Sequence, residues 1–398
     1  MSQVNRRQVL KLLAALGATG VTAACAGDDE AGDTPAPPKS DEPVRIGLLV
    51  PQTGGLKAIG EDVVRGFQLY VDLNEGRLGG HPAQIETVAE GDTAATGVDG
   101  LKELLRRDVV AVSGVVNPAT MMALREPIRQ AKVPLVGSVG SPSALLGEVY
   151  TWRTSYVSSD AARALGPYVA DNVDGKVVMV TTSFATGQDV VEGFREGFGW
   201  LDKRLVTEAF FAGENNNPGP GFYRNTIVAL QTANPAAVFC DLAGAAAVEF
   251  IREYRAAGLQ ATLYGSGFLT EGNVLTELAE DAGGILTAMN YSADLPNPAN
   301  QTFASAYRRE HDSSPTTYAM ASYDAAQVLS KAISLAGDSP TPQQINLMLG
   351  KVGQVDSPRG TWQFNQSRTP QQKWYLREVR LDGRVLANVL ISELNTLG

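Results

Sequence analysis

The chain has 398 residues, 44% of them apolar and 19% charged, which suits a globular protein of two or three domains with a large core. A formal net charge of −10 argues against a basic surface for nucleic acid or anionic membrane. His81 and His311 are the only histidines and neither stands beside a cysteine, so a histidine-based metal site or a serine triad is poorly supplied.

Residues 1–24 read as a signal peptide, with Arg6, Arg7 and Lys11 preceding an apolar stretch over 12–24 that is too short to span a bilayer comfortably. NRRQVLK resembles the twin-arginine export signal and VTAAC resembles a bacterial lipoprotein cleavage box, which implies a lipid on Cys25. Thr22 stands where that box usually has leucine, and the alternative is an ordinary signal peptide with an incidental Cys25. With Cys25 lipidated, Cys240 has no disulfide partner and reads as a small buried residue. Residues 25–43 are acidic, proline-rich and free of large apolar side chains, a disordered tether.

Folding begins at Val44, where VRIGLLV predicts a buried strand. A helix over 61–74 buries Val63, Val64, Phe67, Tyr70 and Val71, a strand follows over 83–89, and a helix over 93–107 turns Leu101 and Leu104 inward. Residues 109–143 organise the chain. Two valine-rich runs, 109–116 and 133–139, flank a helix over 118–131 and show little polar alternation, the pattern of parallel strands covered on both faces. Both end in small polar residues, and loops at the carboxyl ends of such strands form ligand crevices.

The alternation then restarts, with strands over 176–182, 205–211, 237–242 and 262–265 between helices over 160–172, 188–201, 222–232 and 245–257. This predicts an α/β protein of two doubly wound lobes. The remaining strands, over 285–291, 361–364, 374–379 and 385–394, and the helices over 300–310, 317–336 and 341–352, need those sheets to pack on. The expected division is 44–154 plus 288–352 for lobe 1 and 155–287 plus 353–398 for lobe 2, joined by a multi-crossing hinge beside a cleft.

Six segments stand in order: VRIGLLVPQTGGLKAIGEDVVRGFQL, the small-residue turn after Val139, WRTSYVSSD, FATGQDVVEGF, FASAYRREHDSSPTTYAMASYDAAQVLSKAI and SPRGTWQFN. Through them the chain resembles, over 44–379, the type I periplasmic solute-binding proteins of ABC transporters, in particular the branched-chain amino-acid-binding (leucine/isoleucine/valine) family. The resemblance implies a lipid-anchored extracytoplasmic monomer that delivers a small polar solute, an amino acid or related carboxylate or amide, to ABC permease subunits by cleft closure. It implies no catalysis, no cofactor, no metal and no nucleic-acid partner. A ligand-sensing receptor of the same fold, passing closure to a signalling partner, is the alternative.

The resemblance also implies a site. Its carboxylate-holding turn falls on Ser138, Gly140 and Ser141, where Gly140 admits a close backbone approach and Ser141 can donate before a helix start. Asn117 is the nearest polar substitute for a serine of the neighbouring loop. Phe184 replaces a tyrosine that closes over the ligand, Glu214 corresponds to the ammonium-pairing acid, and Ile59 stands where an aromatic is often found. Read without the family, Ser138 to Ser143 is a polar turn, Phe184 a core aromatic and Glu214 a solvated loop acid. Asp241 ends a predicted strand, where a buried acid needs a cationic partner such as a ligand ammonium, or else caps the alanine-rich helix that follows. Trp152 and Tyr156 wall a pocket or pack the hinge, while Tyr318, Tyr323 and Asp324 read as helix core and surface.

Overall fold

Val44–Val50 buries every side chain but that of Arg45 and forms β1 at the middle of the first sheet. The computed structural model describes residues 40–183, 185–206, 210–211 and 217–398. The readings made for Cys25, Phe184 and Glu214 lie outside these residues. Beside β1 run β2 (Arg77–Leu78), β3 (His81–Ala89), β4 (Ala111–Gly114), β5 (Leu135–Gly137) and β6 (Thr151–Arg153), in the spatial order β2-β3-β1-β4-β5-β6. All neighbours are parallel except the short β2–β3 pair. The strand β6 was not expected, because three residues carry no readable period. The helix expected over 118–131 is two, Pro118–Ala123 and Arg125–Ala131. Pro127 has no N–H for the carbonyl four residues back, so the chain bends at Leu124.

The second sheet contains β7 (Val177–Thr181), β8 (Phe210–Phe211), β9 (Ala237–Asp241), β10 (Thr262–Ser266), β11 (Leu286–Met289), β12 (Gln363–Phe364), β13 (Pro370–Asp382) and β14 (Val385–Leu397). Its order is β12-β13-β11-β10-β9-β7-β8, with β14 on the outer side of β13. Val177 and Met179 pack into one core with Phe194, Phe239 and Trp374, while Val178 and Val180 pack into another with Phe250 and Ile251. Alternate residues of one strand thus enter cores on opposite faces, which is why β7 reads as an unbroken apolar run.

The long helix Thr317–Ala336 returns to the first sheet, where Ala325, Leu329 and Ile333 share a core with Ile46, Leu48 and Phe67. Gly66 permits this approach, since a Cβ there would lie 2.0 Å from the Ala319 carbonyl oxygen. Asp324 of the same helix is fully buried, correcting its reading as surface. It accepts from Ser357 Oγ at 2.7 Å and Trp362 Nε1 at 2.9 Å, and Arg359 Nη2 stands 2.9 Å away. Arg359 Nη1 donates to Gln372 Oε1 at 2.6 Å, and Gln372 Nε2 to the Ser155 carbonyl at 2.8 Å. The SPRGTWQFN segment therefore ties three chain crossings together. Trp152 belongs to this packing, edge-on to Phe364 and donating to Asn346 Oδ1 at 2.8 Å. No helix among the described residues is long and apolar enough to cross a membrane.

Candidate ligand-binding site

The carboxyl ends of β4, β5 and β9 face one cavity of about 90 Å³, several times the room one water needs. Leu56, Ile59, Val116 and Val139 line it from the first-sheet side, Leu242 and Phe268 from the second. Tyr156, Phe268 and Tyr318 form a column of rings: Tyr156 stacks on Phe268 at 5.5 Å and Phe268 on Tyr318 at 5.0 Å. These rings come from the crossing segment, from the turn Gly267–Thr270 after β10, and from the start of Thr317–Ala336. The wall therefore joins both lobes. Sequence reasoning flagged Tyr156 but assigned Tyr318 to the helix core, and it missed Phe268, Ser158 and Thr186.

Asp241, the last residue of β9, lines the cavity. The following helix, Gly244–Ala256, has Ala243 at its N-cap with no side-chain cap bond, so Asp241 is not the helix cap. Ser266 Oγ, on the adjacent strand, donates to its Oδ1. Burial pushes the carboxyl up to about 6 against that hydrogen bond, and no lysine or arginine is among the described residues lining the cavity. An acid in this setting lacks a positive charge.

Of the first-lobe turn, Gly140 borders the cavity, and a Cβ there would come within 3.3 Å of the Phe268 ring. Ser138 and Ser141 are buried behind it, their hydroxyls without a partner among the described residues. The Ser141 N–H donates to the Tyr156 carbonyl at 3.3 Å, so that backbone donor is already engaged. Asn117 caps Pro118–Ala123, its Oδ1 accepting from Ala119 N–H at 2.9 Å and its Nδ2 donating to the Asp92 carbonyl at 3.3 Å. Its neighbours Val116 and Pro118 line the cavity, and its own side chain is held elsewhere. Glu90, fully buried just after β3, accepts from the N–H groups of Val116 at 2.9 Å and Asn117 at 2.8 Å. Burial lifts its carboxyl to about 7 against those bonds. It fixes the loop after β4, a role that its place at a strand's carboxyl end could have suggested.

Three further hydroxyl-bearing residues line the cavity. Tyr156 and Tyr318 are each 2% exposed and Ser158 is 7% exposed, and Tyr156 OH, Tyr318 OH and Ser158 Oγ have no hydrogen-bond partner among the described residues. Burial pushes both phenols well above their usual range, so they remain neutral donors.

The lobes meet around this cavity. Asp189 on the helix Ala185–Phe198 accepts from Ser143 N–H at 2.7 Å and Ser143 Oγ at 2.5 Å. Gly244, at φ +54°, abuts the first-lobe turn so closely that a Cβ would lie 2.6 Å from the Gly55 carbonyl oxygen. Glu271 accepts from Thr317 N–H at 2.7 Å and pairs with Arg377 at 2.8 Å. The cleft is thus shut on several sides.

Known proteins are similar to this chain. Leu/Ile/Val-binding protein homolog 6 of Brucella melitensis is 23% identical over 346 residues, covering 84% of this chain and 87% of its own length. A solute-binding protein of an ABC transporter from R. palustris, solved in complex with benzoate, is 25% identical with a TM-score of 0.80, over 89% of this chain and 97% of that one. LivJ of Streptococcus pneumoniae, solved in complex with isoleucine, shares the fold at 19% identity and a TM-score of 0.76, over 88% of this chain and 100% of that one. The periplasmic binding protein family model matches residues 43–384, and the chain belongs to that family, with its two-lobe α/β fold.

Proposed function

We propose that this protein is the extracytoplasmic solute-binding component of an ABC transporter, tethered through lipid on Cys25, and that it closes around an amino acid or a closely related carboxylate or amide. The observation that carries this is Asp241, an acid in a mostly apolar cavity with one hydrogen-bond donor and no cation beside it among the described residues. A ligand ammonium supplies the missing charge. The Gly140 turn borders the opposite lobe's side of the cavity and receives the carboxylate, and the apolar lining holds the body of the solute. Residues 44–154 with 288–352 close against 155–287 with 353–398, and a single chain supplies both walls, so the protein works as a monomer. Ligand favours closure only through contacts that the open form lacks, here those to both Gly140 and Asp241. The closed carrier then presents its solute to the permease subunits.

A second reading, an aromatic acid, is favoured by the stacked rings of the wall and by the R. palustris relative solved with benzoate. Calorimetric titration of the protein with isoleucine, phenylalanine, threonine, asparagine and benzoate separates the two. Heat from at least one amino acid and none from benzoate is expected. Binding of benzoate without any of the four amino acids removes the ammonium role of Asp241 and establishes the aromatic-acid reading.

A further inference from the structure

We infer that Tyr156, Tyr318 and Ser158 form a hydroxyl subsite in the cavity, and that the solute is an amino acid whose side chain ends in a hydroxyl or amide rather than a branched aliphatic group. This rests on the amino-acid reading of Asp241. The two phenols carry the argument. Their rings have full packing partners: Tyr156 lies on Phe268 and edge-on to Trp374 at 5.0 Å, and Tyr318 lies on Phe268. Phenylalanine would serve that packing equally, as Phe268 in the middle of the column shows. The hydroxyls therefore serve something other than the column.

Buried polar groups in folded proteins nearly always find a partner, and here two phenols and a serine at one cavity have none among the described residues. A serine hydroxyl can turn back to its own backbone, but a phenol cannot reach so far, and the proposal assigns its acceptor to the ligand. Thr182 and Thr186 extend the same polar lining on the second lobe. A leucine, isoleucine or valine side chain offers these donors no acceptor, whereas a hydroxyl or amide oxygen does. A site built to hydrogen-bond a ligand group rejects the isostere lacking that group far more strongly than an apolar pocket rejects an added methylene.

The test uses isosteric pairs, valine against threonine and leucine against asparagine, titrated calorimetrically into the protein and into the Tyr156→Phe/Tyr318→Phe double variant. The oxygen-bearing member of at least one pair is expected to bind the protein at least tenfold more tightly, and the double variant to narrow that preference to less than threefold. Equal or tighter binding of the apolar members overturns the proposal, as does a preference that survives in the double variant. Thermal unfolding of the ligand-free variant is the second arm. An unchanged or higher Tm is expected, whereas a lower Tm shows that the hydroxyls already serve the fold and overturns the subsite. Should none of the four amino acids bind, the reading of Asp241 fails by itself. The subsite is then judged by the Tm and by benzoate against 4-hydroxybenzoate under the same criteria.

Discussion

Two acids of this molecule stand in contrasting surroundings. Asp324 in the hinge has Ser357, Trp362 and Arg359 around it, and Arg359 also lies over the Trp362 ring at 4.8 Å. Asp241 in the cleft has Ser266 alone among the described residues. Burial raises both carboxyls above the ordinary aspartate range, although Asp324 is fully buried and Asp241 only partly. The difference is the number of partners. Asp324 gathers its three partners on one oxygen, an arginine counter-charge among them, and holds the chain crossings, whereas Asp241 has one hydroxyl and, on the proposed function, receives its cation from the solute.

The sharpest way to break this contrast is to remove each acid. Asp324→Ala leaves the Arg359 guanidinium buried without its counter-charge, and such a loss costs about 3–5 kcal/mol. Urea denaturation should show that drop. Asp241→Asn should leave the unfolding free energy unchanged or higher, because the amide oxygen still accepts from Ser266 and a desolvated charge is gone. An equal loss in both variants would mean that Asp241 is as structural as Asp324.

The contrast was only half legible in the sequence. Apolar runs gave β1, β4, β5, β7 and β9, and through them the carboxyl ends where Asp241 and the Gly140 turn lie. Asp324 looked like helix surface because its partners Ser357, Arg359 and Trp362 lie more than thirty residues away, a pairing that no local period reports. Whether Asp241 capped a helix or faced the cleft turned on where that helix began, and Gly244 in a left-handed conformation starts it too late for capping. Asn117, expected at the ligand, stands before Pro118 where an N-cap fits, and the structure uses it as the cap. Phe268 sits in a one-turn helix with no pattern, and the helical spacing of Tyr318 could not say which of several cores it would enter.

A pH profile sharpens the contrast further. The Asp241 carboxyl stands at about 6 in the folded chain against 3.8 ordinarily. Between those values the folded state binds more protons than the unfolded one, so this group makes stability fall as pH rises from about 4 to 6. Asp62 and Asp160 at about 6 and Glu90 at about 7 act in the same direction. The difference between the protein and Asp241→Asn isolates the one residue, and the variant's relative stability should grow through that window and then level. Ligand affinity runs the opposite way. An ammonium needs the ionised acid, so affinity for the amino acid should fall roughly tenfold between pH 7 and pH 5, and the Asn variant should bind weakly with a flat profile. A flat profile in the unaltered protein would sink the ammonium role.

The smallest expected effect comes from a contact that touches neither acid. Ser143 and Asp189 join the lobes through two hydrogen bonds to one carboxylate, beside the cavity and outside its lining. If closure is what holds the solute, this pair stabilises the bound form without meeting the ligand. Asp189→Asn turns one accepting oxygen into a donor facing a donor, at a cost of about 1 kcal/mol to the closed state. If that contact belongs to the closed form alone, the loss falls on escape. Stopped-flow displacement should show dissociation about fivefold faster with association little changed. Unaltered dissociation would mean that the other contacts between the lobes, the Tyr156, Phe268 and Tyr318 column and the Glu271–Thr317 bond among them, keep them together without this pair.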